Sequence, residues 1–145
     1  MVRRALLACA CALLGACSFS GFNRPVAVPP PQEETTLSGV RYVELAEGKG
    51  TPAVYGSLVR IHYIGWVGGE RFDSSWDRGN PVAFTIGKAE VMKGLEDGVI
   101  GARVGGKRRL TIPPELGFGE QGVAGVVPPN AELVFELEVV EVVGP

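Results

Sequence analysis

Cysteine is absent from most of this sequence, and this absence limits the covalent bonds and metal sites that the chain can form. The three cysteines, Cys9, Cys11 and Cys17, lie near the start of the 145-residue chain, and none follows Cys17. A disulfide or a cysteine-based metal site is therefore excluded beyond that point. A body without free thiols also suits a protein that leaves the cytoplasm.

Histidine is scarce as well, since the chain has only one, His62. A lone histidine without cysteine cannot build an ordinary zinc site, and the sequence lacks the Gly-x-Ser-x-Gly motif of a serine nucleophile. His62 alternates in phase with Leu58, Arg60 and Ile64, so we interpret it as a strand residue held by packing or a local hydrogen bond. We expect no metal, no cofactor and no general base in the chemistry of this chain.

A strong basic field is also missing. The formal net charge is −2, from 14 basic and 16 acidic residues, whereas nucleic-acid binding normally uses a broad basic face. The run Lys107-Arg108-Arg109 places only three charges in one strand, so we expect no nucleic-acid partner. The 21 glycines and 11 prolines favour turns and short strands. The length suits one domain with extensions, and we expect a monomer.

The first 17 residues have the layout of a signal peptide. A basic start at Arg3 and Arg4 precedes an apolar run over 5–16, which is too short to span a bilayer as a helix. The run ends in Leu-Gly-Ala before Cys17, which resembles the lipobox of bacterial lipoproteins and predicts a lipid on Cys17. Cys11 is a rival acceptor that lacks the bulky upstream residue of a lipobox. Plain secretion and an uncleaved anchor are the alternatives.

We therefore expect a lipid-anchored protein of the bacterial cell envelope. Ser18 follows the predicted lipidation site, in place of the Asp that retains lipoproteins in the inner membrane of many Gram-negative bacteria. This favours the outer membrane, with the protein facing the periplasm. Residues 18–36 contain four prolines and few large apolar residues, so we predict a disordered linker there. The folded domain is predicted over residues 37–145.

Beyond residue 37 the sequence has the periodicity of a β-rich domain. Segment 58–66 is rich in β-branched and aromatic residues, and 133–140 has one apolar and one mostly acidic face. Shorter strands are predicted at 40–45, 82–86 and 107–112. Only 93–100 favours a helix, where Leu95 and Val99 share a face and Gly94 and Gly98 lower the helix propensity. We predict an α+β fold in which an antiparallel β-sheet wraps around one short α-helix.

Five motifs resemble the FKBP family in order and spacing: VRIHYIG at 59–65, RFDSS at 71–75, IGKAEVMKGLEDG at 86–98, LTIPPELGFG at 110–119 and VVPPNAELVF at 126–135. The resemblance implies a strongly twisted sheet around one helix, with an apolar pocket for a proline ring between them. It implies peptidyl-prolyl cis-trans isomerisation, with proline-containing polypeptides as substrates and macrolides such as FK506 or rapamycin as further ligands. The predicted role is the folding of exported proteins.

The resemblance also implies the residues of the site. It assigns catalytic roles to Tyr63, Phe72, Asp73 and Phe118. Arg78 is expected close enough to Asp73 to keep its carboxylate ionised. The other expected substrate-binding residues are Phe84, Val91, Met92, Leu95, Val127 and Phe135.

Within the predicted pocket, Leu95 forms the floor, and Phe84 is a core aromatic behind it. The backbone N–H of Met92 is expected to donate to a substrate carbonyl. The loop 119–127 should arch over the site, with turns at Gly122 and Gly125.

Three residues depart from the family pattern. Phe118 stands where the family usually has a Tyr whose hydroxyl donates to the ligand, and that lost hydrogen bond costs about 0.5–1.5 kcal/mol. Leu95 replaces a frequent Trp, and Val82 replaces a frequent Phe. We therefore expect reduced activity, with macrolide affinity affected more than turnover. The alternative hypothesis is a low-turnover binding module for proline segments or macrolides, acting as a chaperone or assembly factor.

Overall fold

A computed structural model describes residues 30–145 of the chain. This part contains seven β-strands, two α-helices and one 3-10 turn. In chain order the elements are β1 (Glu33–Thr35), β2 (Arg41–Ala46), β3 (Leu58–Val67), β4 (Glu70–Ser74), α1 (Ser75–Arg78), β5 (Val82–Thr85), α2 (Lys93–Val99), β6 (Lys107–Ile112), the 3-10 turn Pro114–Leu116 and β7 (Leu133–Val143).

The strands form one antiparallel sheet in the order β1-β2-β6-β7-β3-β4. Strand β5 pairs with the first part of β3, on the same edge that β4 pairs with further along. The longest ladder joins β3 to β7, from Leu58 opposite Val143 to Val67 opposite Leu133. All the strands predicted from periodicity are present, and their ends differ from the predicted ones by at most three residues. The predicted α+β fold is confirmed.

The two faces of the sheet differ as the alternation in β7 predicted. Leu133, Phe135, Leu137 and Val139 are all buried in the core. On the opposite face, Glu136 pairs with Arg109 at 2.6 Å and Glu138 with Lys107 at 3.8 Å. Cross-strand ion pairs of this kind fix the register of a solvated face but add little stability.

Helix α2 packs against β6 through its glycines. A Cβ added at Gly94 would overlap the side chain of Ile112, and one added at Gly98 would overlap Leu110. The two glycines, which lower the propensity of the isolated helix, therefore allow it to approach the sheet closely. Leu95 and Val99 complete the buried face of this helix.

The structure corrects one prediction and adds two elements that were not predicted, helix α1 and strand β4. Strand β1 lies inside 18–36, so the prediction of a disordered linker is wrong for Glu33–Thr35. This strand is held by pairing with β2 and by a hydrogen bond of 2.6 Å from the Tyr42 hydroxyl to Glu34. Helix α1 adds a single turn to the one helix expected. Strand β4 contains the RFDS part of a motif for which no strand was predicted.

The predicted signal peptide, the lipidation site Cys17 and most of the predicted linker lie outside the described residues. Within residues 30–145, no helix is both long enough and apolar enough to cross a bilayer.

The guanidinium of Arg108 is buried within the described part of the fold. Its side chain is only 8% exposed and pairs with Glu44 at 2.6 Å. It also donates to the carbonyls of Gly98 and Ile100 at 3.0 and 2.8 Å, and lies over the Tyr42 ring. Arg108 thus ties the carboxyl end of α2 to β2.

Replacing Arg108 with alanine is therefore expected to lower the free energy of unfolding by about 3–5 kcal/mol, because Glu44 and two carbonyls lose a buried partner. Arg109→Ala is the matched control, since its side chain is 50% exposed in its pair with Glu136, and it should cost about 1 kcal/mol or less. Urea denaturation of both variants measures the difference. Equal losses would contradict a structural role for the buried guanidinium.

Candidate functional site

Four aromatic rings from distant parts of the chain meet at one end of the sheet. The ring centroids of Tyr63 and Phe135 are 5.6 Å apart, those of Phe72 and Phe135 are 5.8 Å apart, and those of Phe72 and Phe118 are 6.4 Å apart. All three pairs have the edge-to-face geometry that aromatic rings prefer. These contacts bring together four residues predicted for the site.

Gly65 allows the rings to converge. It lies opposite Phe135 of β7 on one side and opposite Asp73 of β4 on the other. An added Cβ would lie 2.8 Å from the Phe135 ring and 3.0 Å from the Phe72 ring. A side chain here would push both rings apart, so this glycine is part of the site.

The aliphatic residues predicted for the site lie at its inner side. Val91 and Met92 are half-buried and pack against the core just before α2. Val127 and Leu95 are buried, each with 4% exposure. Phe84 is buried to 1% exposure, which fits a place in the core behind a pocket wall.

The Met92 backbone marks the start of α2. Its carbonyl accepts hydrogen bonds from the N–H groups of Leu95 and Glu96 at 3.0 and 3.2 Å. Its own N–H has no hydrogen-bond acceptor within residues 30–145. This N–H is the group for which the sequence predicts a substrate carbonyl as acceptor.

A polar network borders the aromatic cluster. The Tyr63 hydroxyl donates to Asp73 Oδ2 at 2.5 Å, and Arg78 Nη1 donates to Asp73 Oδ1 at 2.5 Å. Arg78 Nη2 donates to the Tyr63 hydroxyl at 2.8 Å, which closes the triangle. The Ser74 N–H donates to Asp73 Oδ1 at 2.8 Å. The expected proximity of Arg78 to Asp73 is confirmed.

The network shifts two pKa values in opposite directions. Partial burial, the largest influence, raises the pKa of Asp73, but the hydrogen bonds from Tyr63 and Arg78 outweigh it and leave the pKa below its usual value. Burial and the hydrogen bond to Asp73 raise the pKa of the Tyr63 hydroxyl. The network therefore favours an ionised carboxylate beside a neutral phenol.

The loop after Phe118 is closed by its own hydrogen bonds. Gly119 donates to the carbonyl of Pro114 at 2.8 Å, and the N–H groups of Val123 and Val127 each donate to the other's carbonyl at 2.8 Å. Gly122 and Gly125 have φ values of 59° and 75°, which favour glycine. Both glycines therefore have the left-handed backbone conformation that the predicted turns require.

Comparison with known proteins shows matches to this chain in both sequence and fold. A family model for FKBP-type peptidyl-prolyl cis-trans isomerases matches residues 49–140. The chain belongs to this family. The FK506-binding protein of Neisseria meningitidis serogroup B is 46% identical over 107 residues, which cover 73% of this chain and 98% of the relative. The peptidyl-prolyl cis-trans isomerase FPR2 of Saccharomyces cerevisiae is 50% identical over 92 residues, covering 62% and 68%.

Solved structures of FKBP-type proteins superpose on this chain. AtFKBP13 aligns with a TM-score of 0.69 at 37% identity, covering 76% of this chain and 98% of its own. FkpA from Escherichia coli aligns with a TM-score of 0.68 at 36% identity, covering 76% and 51%. The chain is thus an FKBP-type peptidyl-prolyl cis-trans isomerase, an enzyme that catalyses rotation about X-Pro bonds.

Two features of this isomerase were not predicted as parts of the site. Gly65 is not distinguished by its local sequence, because only the partner strands show that two rings approach it. Ser75 ends the RFDSS motif, which by itself indicates only a turn, yet its buried hydroxyl bonds to the Tyr63 backbone. His62 has the local hydrogen bond expected of it, with Nδ1 2.9 Å from Ser75 Oγ.

The lowered pKa of Asp73 leads to a pH-dependent prediction. A carboxyl whose pKa is depressed by folding adds stability above its unfolded-state value of 3.8, and this stability is lost as the pH falls through the folded value. Asp73→Asn should therefore be less stable than the wild type at neutral pH, and the difference should shrink below pH 3.8.

Unfolding free energies measured across that range check the expectation. Asp77→Asn is the control, because Asp77 is 60% exposed in its pair with Arg71 and should change stability little at any pH. A loss in Asp73→Asn that is the same at neutral and acid pH would contradict the role given to the ionised carboxylate.

Proposed function

We propose that the aromatic cluster is the prolyl pocket of this isomerase. The observation that carries the proposal is the convergence of Tyr63, Phe72, Phe118 and Phe135, with edge-to-face contacts and one polar border. The aliphatic side chains of Val91, Met92 and Val127 complete the walls, and Leu95 and Phe84 support them from the core. A pyrrolidine ring is the part of a peptide that such a surface suits best.

This pocket suits a reaction in which no bond is broken. Rotation about an X-Pro bond is opposed by amide resonance, with a barrier of about 20 kcal/mol. In the twisted transition state the amide loses conjugation, and its carbonyl becomes less polar. An apolar pocket therefore favours the twisted state over the resonant state, which water stabilises.

The polar groups beside the rings have a role separate from that of the rings. The Met92 N–H is oriented by the start of α2 and is a donor for a carbonyl of the substrate. Asp73 is held by Tyr63 and Arg78, so its charge is fixed in place beside the rings. These groups orient the peptide, while the rings select the twisted amide.

Macrolide binding is the second ligand interaction that we propose. Several relatives carry the name FK506-binding protein, and the same apolar pocket would accept the ring system of such a ligand. Phe118 lacks the hydroxyl that the family usually offers, and Leu95 gives a smaller floor than Trp. We therefore expect FK506 or rapamycin to bind more weakly here than to a family member that has both residues.

Phe118→Tyr tests the assignment of the pocket. The Phe118 ring is half-buried and makes an edge-to-face contact with Phe72. A Tyr can therefore take the same ring position. A new hydroxyl donor should raise prolyl-peptide turnover or FK506 affinity about fivefold, since one hydrogen bond is worth about 1 kcal/mol. A protease-free isomerisation assay and a binding titration measure the two quantities.

The thermal stability of this variant is the control and should be nearly unchanged. An unchanged rate together with an unchanged affinity would mean that Phe118 faces away from the ligand. In that case the assignment of the loop after the 3-10 turn to the pocket would be wrong, although the family would still stand.

We further propose that the enzyme acts as a monomer on exported proteins in the bacterial cell envelope. The leader over 1–17, the lipobox-like residues before Cys17 and the absence of later cysteines support this place of action. Ser18 favours the outer membrane.

Cys17→Ser tests the anchor. The variant should remain an unprocessed precursor without lipid, because the sulfur that forms the thioether is gone. The isomerase rate should stay that of the wild type, since the folded domain begins after the leader. Metabolic labelling with a fatty acid measures the lipid, and Cys11→Ser is the matched control that should be labelled normally. Labelling of Cys17→Ser would overturn the anchor.

A further inference from the structure

The edge of β3 that faces β4 and β5 has a gap at the site. Strand β5 pairs with Leu58 to Ile61, and β4 pairs with Ile64 to Val67. His62 and Tyr63, between these ladders, have no strand partner on this edge within the described residues. A buried N–H or carbonyl left unbonded there would cost stability.

The side chain of Ser75 fills this gap. Its Oγ accepts a hydrogen bond from the Tyr63 N–H at 2.8 Å and lies 3.4 Å from the Tyr63 carbonyl oxygen, to which it can donate. Ser75 has no exposed surface, so water cannot take its place. A hydroxyl thus stands where a neighbouring strand would otherwise bond to Tyr63.

The same short helix holds both ends of Tyr63. Ser75 begins α1 and binds the Tyr63 backbone, while Arg78 ends α1 and donates to the Tyr63 hydroxyl at 2.8 Å. A helix of one turn has almost no stability of its own, and α1 has no side-chain cap. Its position, and with it the position of Arg78, therefore depends on such tethers.

His62 determines where the Ser75 proton goes. A serine hydroxyl has one proton and two acceptor sites, and one acceptor site is used by the Tyr63 N–H. When the neutral imidazole carries its proton on Nε2, the hydroxyl proton has a nearer acceptor in His62 Nδ1, at 2.9 Å, than in the Tyr63 carbonyl, at 3.4 Å. If Nδ1 gains a proton, it becomes a donor to Ser75 Oγ, and the hydroxyl proton must turn to the Tyr63 carbonyl.

The surroundings of His62 hold its ring in place during this exchange. The imidazole stacks on Trp76 of α1, with centroids 3.7 Å apart and planes 12° apart. The charged groups that line the same surface groove as His62 and Trp76 are Glu136 and Glu138 of β7 and Lys107 of β6. Glu138 pairs with Lys107, and Glu136 pairs with Arg109. On its own strand, Arg60 pairs with Glu141.

We propose that Ser75 is a positioning residue for the isomerisation, and that protonation of His62 tightens its hold on Tyr63 from one hydrogen bond to two. The proposal rests on the assignment of Tyr63 to the prolyl pocket. It adds a residue that touches no substrate and acts through the wall that it supports.

Ser75→Ala and the matched control Ser74→Ala test the first half of this proposal in the full chain. Ser74 is also buried, but its Oγ has no hydrogen-bond partner within the described residues. Ser75→Ala should lower kcat/KM about tenfold, and Ser74→Ala should change it less than twofold, because only the former loses hydrogen bonds to Tyr63. Amide exchange at Tyr63, followed by NMR, should become faster in Ser75→Ala alone.

The amide-exchange measurement does not depend on activity. Faster exchange without a loss of rate would mean that Tyr63 is held by Ser75 but does not serve the reaction, which overturns the positioning role and the pocket assignment together. Equal effects of the two alanine variants on both rate and exchange would overturn the role of Ser75 alone.

The pH profile tests the second half. The single imidazole of this chain can be titrated by NMR, and kcat/KM of the wild type should be higher on the acidic side of that titration. His62→Phe keeps a ring on Trp76 but removes Nδ1, so its profile should be flat over the same range. Ser75→Ala should also be flat. A flat wild-type profile, or a step that persists in His62→Phe, would overturn the part played by His62.

Discussion

Strand β3 must hydrogen-bond to three other strands, and the arrangement of the site depends on this constraint. Strand β7 takes one edge over the full length of β3, while β5 and β4 divide the other edge between them. Each partner brings an aromatic residue to the strand that contains Tyr63: β7 brings Phe135, β4 brings Phe72 and β5 brings Phe84. The places of Phe135 and Phe72 in the walls of the proposed pocket, and of Phe84 behind them, therefore follow from the strand pairing. Gly65 leaves the space in which two of the rings meet.

The remaining gap in that pairing is closed by side chains. Ser75 bonds to the Tyr63 backbone, and Asp73 and Arg78 bond to its hydroxyl. Tyr63 is thus held at its backbone by Ser75 of α1, and at its hydroxyl by Asp73 of β4 and Arg78 of α1. A rigid wall suits the mechanism proposed above, in which an apolar surface that is already formed favours the twisted amide and no proton is moved.

The departures from the family pattern change the polar part of the proposed pocket more than its apolar part. Phe118 keeps the aromatic contact with Phe72 that a Tyr would make, but it offers no donor. Leu95 reduces the aromatic surface at the floor, although it stays buried at 4% exposure. A reaction that depends on apolar walls tolerates such changes better than a ligand that depends on a specific hydrogen bond, so turnover and macrolide affinity need not vary together.

Composition and periodicity were enough to predict strands β2, β3, β5, β6 and β7, the helix α2 and the solvated face of β7, because strand and helix periodicities can be read from neighbouring residues. The family motifs added the aromatic residues of the site. Strand β1 and helix α1 were not predicted, since three or four residues form such elements only when a partner holds them: β2 for β1, and Tyr63 for α1. Gly94 and Gly98 look unfavourable for a helix until Ile112 and Leu110 are seen beside them, and the hydroxyl of Ser75 acquires its role only from a gap between two ladders. These features depend on residues far apart in the chain, and only their packing in three dimensions decides them.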